Sequence, residues 1–310
     1  MKTITAVVGV LRNKNNDILI AERRADQFMA GFWELPGGKI EPNESPEQAI
    51  TRELQEELAI EIQQLSLHQT MSHNYEDRTI NLSIYTIDQY QNTPIGAEGQ
   101  KIAWVKINQL TTYKLLPTMK SFINSLTLPN KYWITPANHD SDEWMQKIDQ
   151  KIDQGIKLIQ LRSKIPLDST IINEVRNKCQ QYGVRLLLNT LNKDFTALNC
   201  DGYHLTTHEM QSLTQNPCPN HLLSVSTHNL TEALQAQKLG ADFIVISPVQ
   251  ATQTHPDTPP IGWNAAKEIV DKLNIPVYFL GGMTENDLKK TLELGAQGIA
   301  GVSALLETLP

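Results

Sequence analysis

Three glutamates, Glu53, Glu56 and Glu57, stand within five consecutive residues behind a Pro36-Gly37-Gly38 turn, in a stretch that reads GGKIEPNESPEQAITRELQEELAI over residues 37–60. At about 100° per residue the three carboxylates fall within an arc of roughly 100° on one side of a helix. Like charges so spaced cost about 0.2–0.5 kcal/mol per pair on an exposed helix, so crowding alone would also suit a solvated face. Two features favour a site. Arg52, four residues before Glu56, can hold carboxylates in place, and neither glycine has a Cβ, so the backbone carbonyls of the turn can lie against a ligand. Hard oxygen donors of this kind suit Mg2+, with Mn2+ as a substitute, since these ions keep several waters and share the rest of their shell with substrate phosphates.

The elements that must position these groups are legible around them. A strand ending at Leu35 is stopped by the Pro-Gly-Gly turn. Ser45 reads as an N-cap, Pro46 as the first helical residue and Gln48 as the partner in a capping box, which predicts a helix over 46–58. Ile50, Leu54 and Leu58 recur every fourth residue and form its core stripe. Residues 3–11 and 18–23 flank an Asn-rich turn and read as a hairpin. Alternating Ile80, Leu82, Ile84 and Ile87 predict another strand within 72–90, and Phe32, Trp33 and Leu35 read as core.

With 310 residues the chain has room for two domains. Its 27 basic and 34 acidic residues give a net charge of -7 with no basic stripe, which argues against coating nucleic acid and for a small-molecule partner. Cys179, Cys200 and Cys218 form no CxxC pair and are odd in number, so they read as structural thiols of a reducing, cytoplasmic compartment. The N-terminal residues run straight into Arg12-Asn13-Lys14-Asn15-Asn16-Asp17 and read as a strand and turn rather than a leader. No run of about 18 apolar residues occurs, so no membrane-spanning helix is expected.

The order Gly38, five residues, Glu44, seven residues, then Arg52-Glu53-Leu54-Gln55-Glu56-Glu57 resembles the box of the Nudix hydrolases, which places a domain of that family at residues 1–127, and its opening 60 residues closely resemble the MutT type. The resemblance implies an α+β domain with a mixed sheet between helices. It implies that Glu56, Glu57, Glu98 and the Gly38 carbonyl hold metal, with Glu53 as base or water-orienting group. Arg52 would position Glu53, Glu44 would belong to the same catalytic set, and Lys39 would steady the departing pyrophosphate. Arg23 and Arg78 match positions that contact the nucleotide. The chain departs from the pattern at Ala59, where glycine is usual, and at Met119, which stands where an asparagine reads the purine.

After residues 126–131, which read as a linker, the pattern changes to short apolar runs at 132–134, 156–161, 184–188, 202–205, 222–225, 243–246, 277–280 and 298–302. Helical stretches at 140–154, 167–182, 230–239, 263–273 and 285–294 lie between them. Alternating strand and helix predict a parallel sheet, and eight such units predict a closed (β/α)8 TIM barrel over 128–310. The segments Gln160-Leu161-Arg162-Ser163-Lys164, Asp201-Gly202-Tyr203-His204-Leu205 and Ser224-Val225-Ser226-Thr227-His228-Asn229 resemble those of thiamine phosphate synthases and their TenI relatives. That resemblance implies pyrophosphate or phosphate binding by Arg162, Lys164, Asn189 and Ser226, with Gly282 and Ser303 in the phosphate loops. Departures from the synthase pattern fall at Thr190, Glu209 and His255, and Pro248 replaces the histidine of the tautomerases.

Together the two resemblances imply a magnesium-dependent nucleoside triphosphate pyrophosphohydrolase, acting on oxidised deoxyguanosine triphosphate, joined to a barrel that holds a thiazole or thiamine phosphate. Two other readings stand beside it. The barrel is itself a thiamine phosphate synthase, or it senses thiazole phosphate and regulates the first domain.

Overall fold

In the computed structural model residues 2–74, 78–137, 141–189, 200–252 and 258–302 are described. The first half comprises β1 (Lys2–Leu11), β2 (Ile18–Glu22), β3 (Trp33–Glu34), β4 (Gly37–Lys39), α1 (Pro46–Leu58), β5 (Glu61–Asn74), β6 (Arg78–Gln91) and β7 (Ile102–Val105). A 3-10 turn at Ile107–Thr112 and α2 (Pro117–Thr127) follow. One mixed sheet has the order β4-β1-β6-β5, with β1 parallel to β6 and antiparallel to β4. A second, antiparallel sheet has the order β3-β2-β7.

The hairpin expected from residues 3–11 and 18–23 does not form as a ladder. Both edges of β1 are taken by β4 and β6, so after the bridge between Arg12 and Ile18 the chain enters the other sheet. The turn between them is tied by the Asn13 side chain, whose oxygen accepts from the backbone of Asn15 and Asp17, both at 2.9 Å.

Helix α1 starts and ends as its sequence dictates. Ser45 Oγ accepts from Gln48 N at 3.2 Å, and Ser45 N donates to the Gln48 side chain at 2.8 Å. Ala49, Ile50, Leu54 and Leu58 are buried against Val7, Leu11, Leu19, Tyr85 and Ile87. Full burial of an aliphatic side chain is worth about 1.5–3 kcal/mol, so this stripe fixes which face of α1 remains for chemistry. The helix stops at Ala59 in the left-handed region, φ 55 and ψ 33.

The chain forms two compact units, residues 1–123 and 124–310. The second comprises, after the end of α2, β8 (Lys131–Ile134), α3 (Ser141–Asp153), β9 (Leu158–Arg162), α4 (Ser169–Gln181), β10 (Arg185–Asn189), β11 (Gly202–Leu205), α5 (Thr207–Gln211), β12 (Leu222–Thr227), α6 (Leu230–Leu239), β13 (Phe243–Ile246), α7 (Gly262–Lys272), β14 (Val277–Phe279), α8 (Leu288–Glu293) and β15 (Gly298–Gly301). The eight strands β8 to β15 close a parallel barrel. Its strands are buried on both faces, as a sheet wrapped in helices requires. Inside, Tyr132, Phe243 and Tyr278 stack edge-on or tilted with ring centroids 5.3–5.6 Å apart. Two details differ from expectation. The short α5 was not foreseen, and the stretch 285–294 begins as a 3-10 turn at Glu285–Asp287 before α8.

Candidate active site

The glycine turn and α1 bring the first site together. β4 pairs with β1 so that Gly38 faces Val7, and the Glu53 carboxylate lies directly on Gly38: a Cβ there would sit 2.3 Å from the carboxyl carbon and both oxygens. Gly37 has φ +145 and room for no Cβ beside Val7 O, and its N–H donates to Glu57 at 3.0 Å. Arg52 is the hub. Its guanidinium donates to both Glu44 oxygens at 2.9 and 3.0 Å, to Glu53 at 2.9 Å, to Glu56 at 3.2 Å and to the Lys39 carbonyl at 3.1 Å. The Lys39 side chain itself is exposed.

Electrostatics follow from this packing. Burial raises the Glu53 carboxyl above its usual range, although Arg52 opposes the shift. Glu57 is pushed up to about 8, first by burial, with the negative charge of Glu34, Glu53 and Glu98 adding and the Gly37 N–H opposing. Arg52 holds Glu44 below the usual carboxylate range. Glu98 sits in the loop before β7 and pairs with Arg24 at 2.9 Å. Arg23 grips both oxygens of Glu34 at 2.6 and 2.8 Å and donates through Nε to the Phe28 carbonyl at 2.7 Å. Arg78 opens β6 opposite Lys2, and its side chain is outside the described part. Met119 is buried, and its thioether lacks the donor-acceptor pair of the asparagine expected at that position.

In the barrel the expected phosphate groups lie at the C-terminal ends of strands. Arg162 ends β9 beside Asn189 at the end of β10, and Ser163 N donates to the Asn189 carbonyl at 3.0 Å. Ser226 Oγ lies 2.7 Å from Nε2 of buried His204, whose Nδ1 is 3.0 Å from Ser224 Oγ. Burial, aided by the charge of Arg162, pushes His204 down to about 3, so it is neutral. Gly282 has φ +65, and a Cβ there would be 2.5 Å from the Ala251 carbonyl. Lys164 is exposed in the loop after β9. Ser303, Thr190 and His255 lie outside the described residues. The Glu209 carboxylate accepts from Thr206 N and Oγ1, each at 2.8 Å, and so is committed to capping α5.

Residues 131–305 match the family model for thiamine monophosphate synthase, and residues 7–125 match that for the NUDIX domain. The 8-oxo-dGTP diphosphatase of Escherichia coli (strain K12) is 40% identical over 126 residues, which span 41% of this chain and 98% of that protein. The chain belongs to both families. The 8-oxo-dGTP diphosphatase of Proteus vulgaris is 45% identical over 98 residues, 32% of this chain and 88% of that one. On the synthase side, the thiamine-phosphate synthase of Chloroflexus aurantiacus (strain ATCC 29366 / DSM 635 / J-10-fl) is 35% identical over 164 residues, 51% of this chain and 76% of that one.

Nudix membership implies a divalent cation, and the donor set fits one: it is all oxygen, it is crowded with like charge around Glu57, and the missing Cβ at Gly38 lets the Glu53 carboxylate lie against the turn. Among the described residues no three acidic, histidine or cysteine side chains converge as a metal-holding cluster; Glu56 pairs with Arg52 and Glu98 with Arg24. Two residues of this Nudix site were missed in sequence. Glu34 adds to the upward pKa shift of Glu57 and anchors Arg23, and its acid type just before the Pro-Gly-Gly turn was the available signal. Gln100 bonds to the backbone of both Glu57 and Glu98, and only its place in Glu98-Gly99-Gln100 hinted at it.

Proposed function

We propose that the Nudix unit hydrolyses nucleoside triphosphates to a nucleoside monophosphate and pyrophosphate, with oxidised deoxyguanosine triphosphate as its substrate and Mg2+ as its cofactor. The reading is carried by one observation: Glu53 is seated on Gly38 and clamped by Arg52, which also holds Glu44 and Glu56. A bound divalent cation would lower the pKa of the attacking water and offset charge on the phosphates. Glu56, Glu57, Glu98 and the Gly38 carbonyl would hold it. Glu53, its pKa raised by burial, takes a proton from the water as that water attacks phosphorus. Arg52 keeps Glu53 in one orientation, and exposed Lys39 is free to meet the leaving pyrophosphate. Arg23, fixed by Glu34, and Arg78 would contact the nucleotide, as in a cytoplasmic enzyme that clears damaged precursors. The test is pyrophosphate release from a nucleotide panel with Mg2+. Wild type is expected to act on the oxidised guanine nucleotide and Glu53→Gln to lose about 100-fold or more, as removal of a general base does. No release from any nucleotide, or an unchanged rate in Glu53→Gln, sinks the reading.

For the barrel, the arrangement of Arg162, Asn189, Ser226 and Gly282 supports binding of a thiazole or thiamine phosphate, with Lys164 and Ser303 as further phosphate contacts expected from the synthase resemblance. Glu209, occupied as a helix cap, favours binding over turnover. A phosphate ligand at 100 times its dissociation constant is expected to add about 2.7 kcal/mol of stability, read as a thermal shift. Growth rescue of a cell lacking thiamine phosphate synthase would instead favour the synthase reading.

A further inference from the structure

The two carboxylates proposed to share a cation, Glu57 and Glu98, come from different elements: the last turn of α1 and the loop before β7. Their separation is a tertiary property. One side chain spans it. The Gln100 carboxamide donates through Nε2 to the Glu57 carbonyl at 2.7 Å and accepts through Oε1 from the Glu98 N–H at 3.0 Å. It is half-buried and uses both ends.

The surrounding loop is built to keep that bridge in place. Ala97 N donates to the same Glu57 carbonyl at 2.9 Å, and Ile95 N to the Leu58 carbonyl at 3.1 Å, so the loop caps carbonyls that the end of α1 leaves without helical partners. Gly96 permits the loop to fold back on itself, since a Cβ there would lie 1.9 Å from the Gln100 carbonyl. Gly99 N then closes onto the Gly96 carbonyl at 3.0 Å with Gly99 at φ +83. The other bonds dock the loop, but the Gln100 side chain joins the backbone of one carboxylate residue directly to that of the other.

We propose that Gln100 is a positioning residue for the divalent cation, setting the distance between Glu57 and Glu98 without touching the ion or the substrate. The inference rests on the metal site of the proposed hydrolase. Outer groups that hold metal ligands typically change affinity 10–100-fold when removed.

The test uses the full chain and Mn2+ as probe, titrated by electron paramagnetic resonance of the free ion without nucleotide. Gln100→Ala and the near-isosteric Gln100→Met, which keeps the packed stem, are each expected to raise the Mn2+ dissociation constant about tenfold. The Mn2+ concentration for half-maximal hydrolysis should rise in parallel while kcat at saturating Mn2+ stays near wild type. A fall in melting temperature with Mn2+ affinity unchanged marks Gln100 as structural only and overturns the proposal. If Glu57→Gln leaves Mn2+ affinity unchanged, the metal site and the proposal fall together. If wild type hydrolyses no nucleotide but the Gln100 variants still bind Mn2+ more weakly, the hydrolase reading fails and the positioning role stands.

Discussion

Gly38→Ala separates chemistry from folding. The backbone at Gly38 is not in the left-handed region, so alanine is allowed there conformationally. Its methyl, however, would lie 2.3 Å from the Glu53 carboxyl carbon and both oxygens. Carbon atoms rest at about 3.5–4.0 Å, so the carboxylate must retreat by about 1 Å or swing away from Arg52. Displacement of a reacting group by about 1 Å can cost roughly 100-fold, or about 2.7 kcal/mol of transition-state stabilisation. Because the group displaced is the far end of a side chain, stability should change by no more than about 1 kcal/mol. Initial rates of pyrophosphate release at saturating Mg2+ would be compared with thermal unfolding of the same samples. Gly37→Ala is the contrast: φ is +145 and the Cβ would meet Val7 O at 2.2 Å, so that variant should lose the strand pairing and unfold early. A folded Gly38→Ala enzyme with kcat within about threefold of wild type would refute the placement of Glu53 against that turn.

Other consequences are as direct. Ala59→Gly should stabilise the protein by about 1 kcal/mol in chemical denaturation, because Ala59 closes α1 at φ 55, where a Cβ is unfavourable. His204 stays neutral in the folded barrel, pushed down to about 3, whereas the unfolded chain titrates near 6.5. Between those values the unfolded state binds more protons, so stability falls as pH falls: about 2 kcal/mol should be lost between pH 7 and pH 5, at about 1.4 kcal/mol per unit. His204→Gln should flatten that part of the stability curve.

Much of the chain was legible because local rules fixed it. The capping box at Ser45 and Gln48 and the stripe Ile50, Leu54, Leu58 set where α1 starts and which side is buried. The eight apolar runs set the barrel, since a strand buried on both faces needs an unbroken apolar segment. The spacing of Gly38, Glu44 and Arg52-Glu53-Leu54-Gln55-Glu56-Glu57 was enough to point to the Nudix family.

What only the tertiary structure decided depends on partners distant in sequence. Whether residues 3–11 and 18–23 pair with each other turned on β4 and β6 occupying both edges of β1, which periodicity does not record. Glu34 and Gln100 entered the site through contacts 20 or more residues away, Glu34 by its charge near Glu57 and Gln100 by its bond across 43 positions. Glu209 shows the converse: a carboxylate at a promising position is spent on its own helix cap. Sequence determines which side chains can bear a charge or accept a proton. Burial, and the neighbours that burial brings within hydrogen-bond reach, determine which of them face one another.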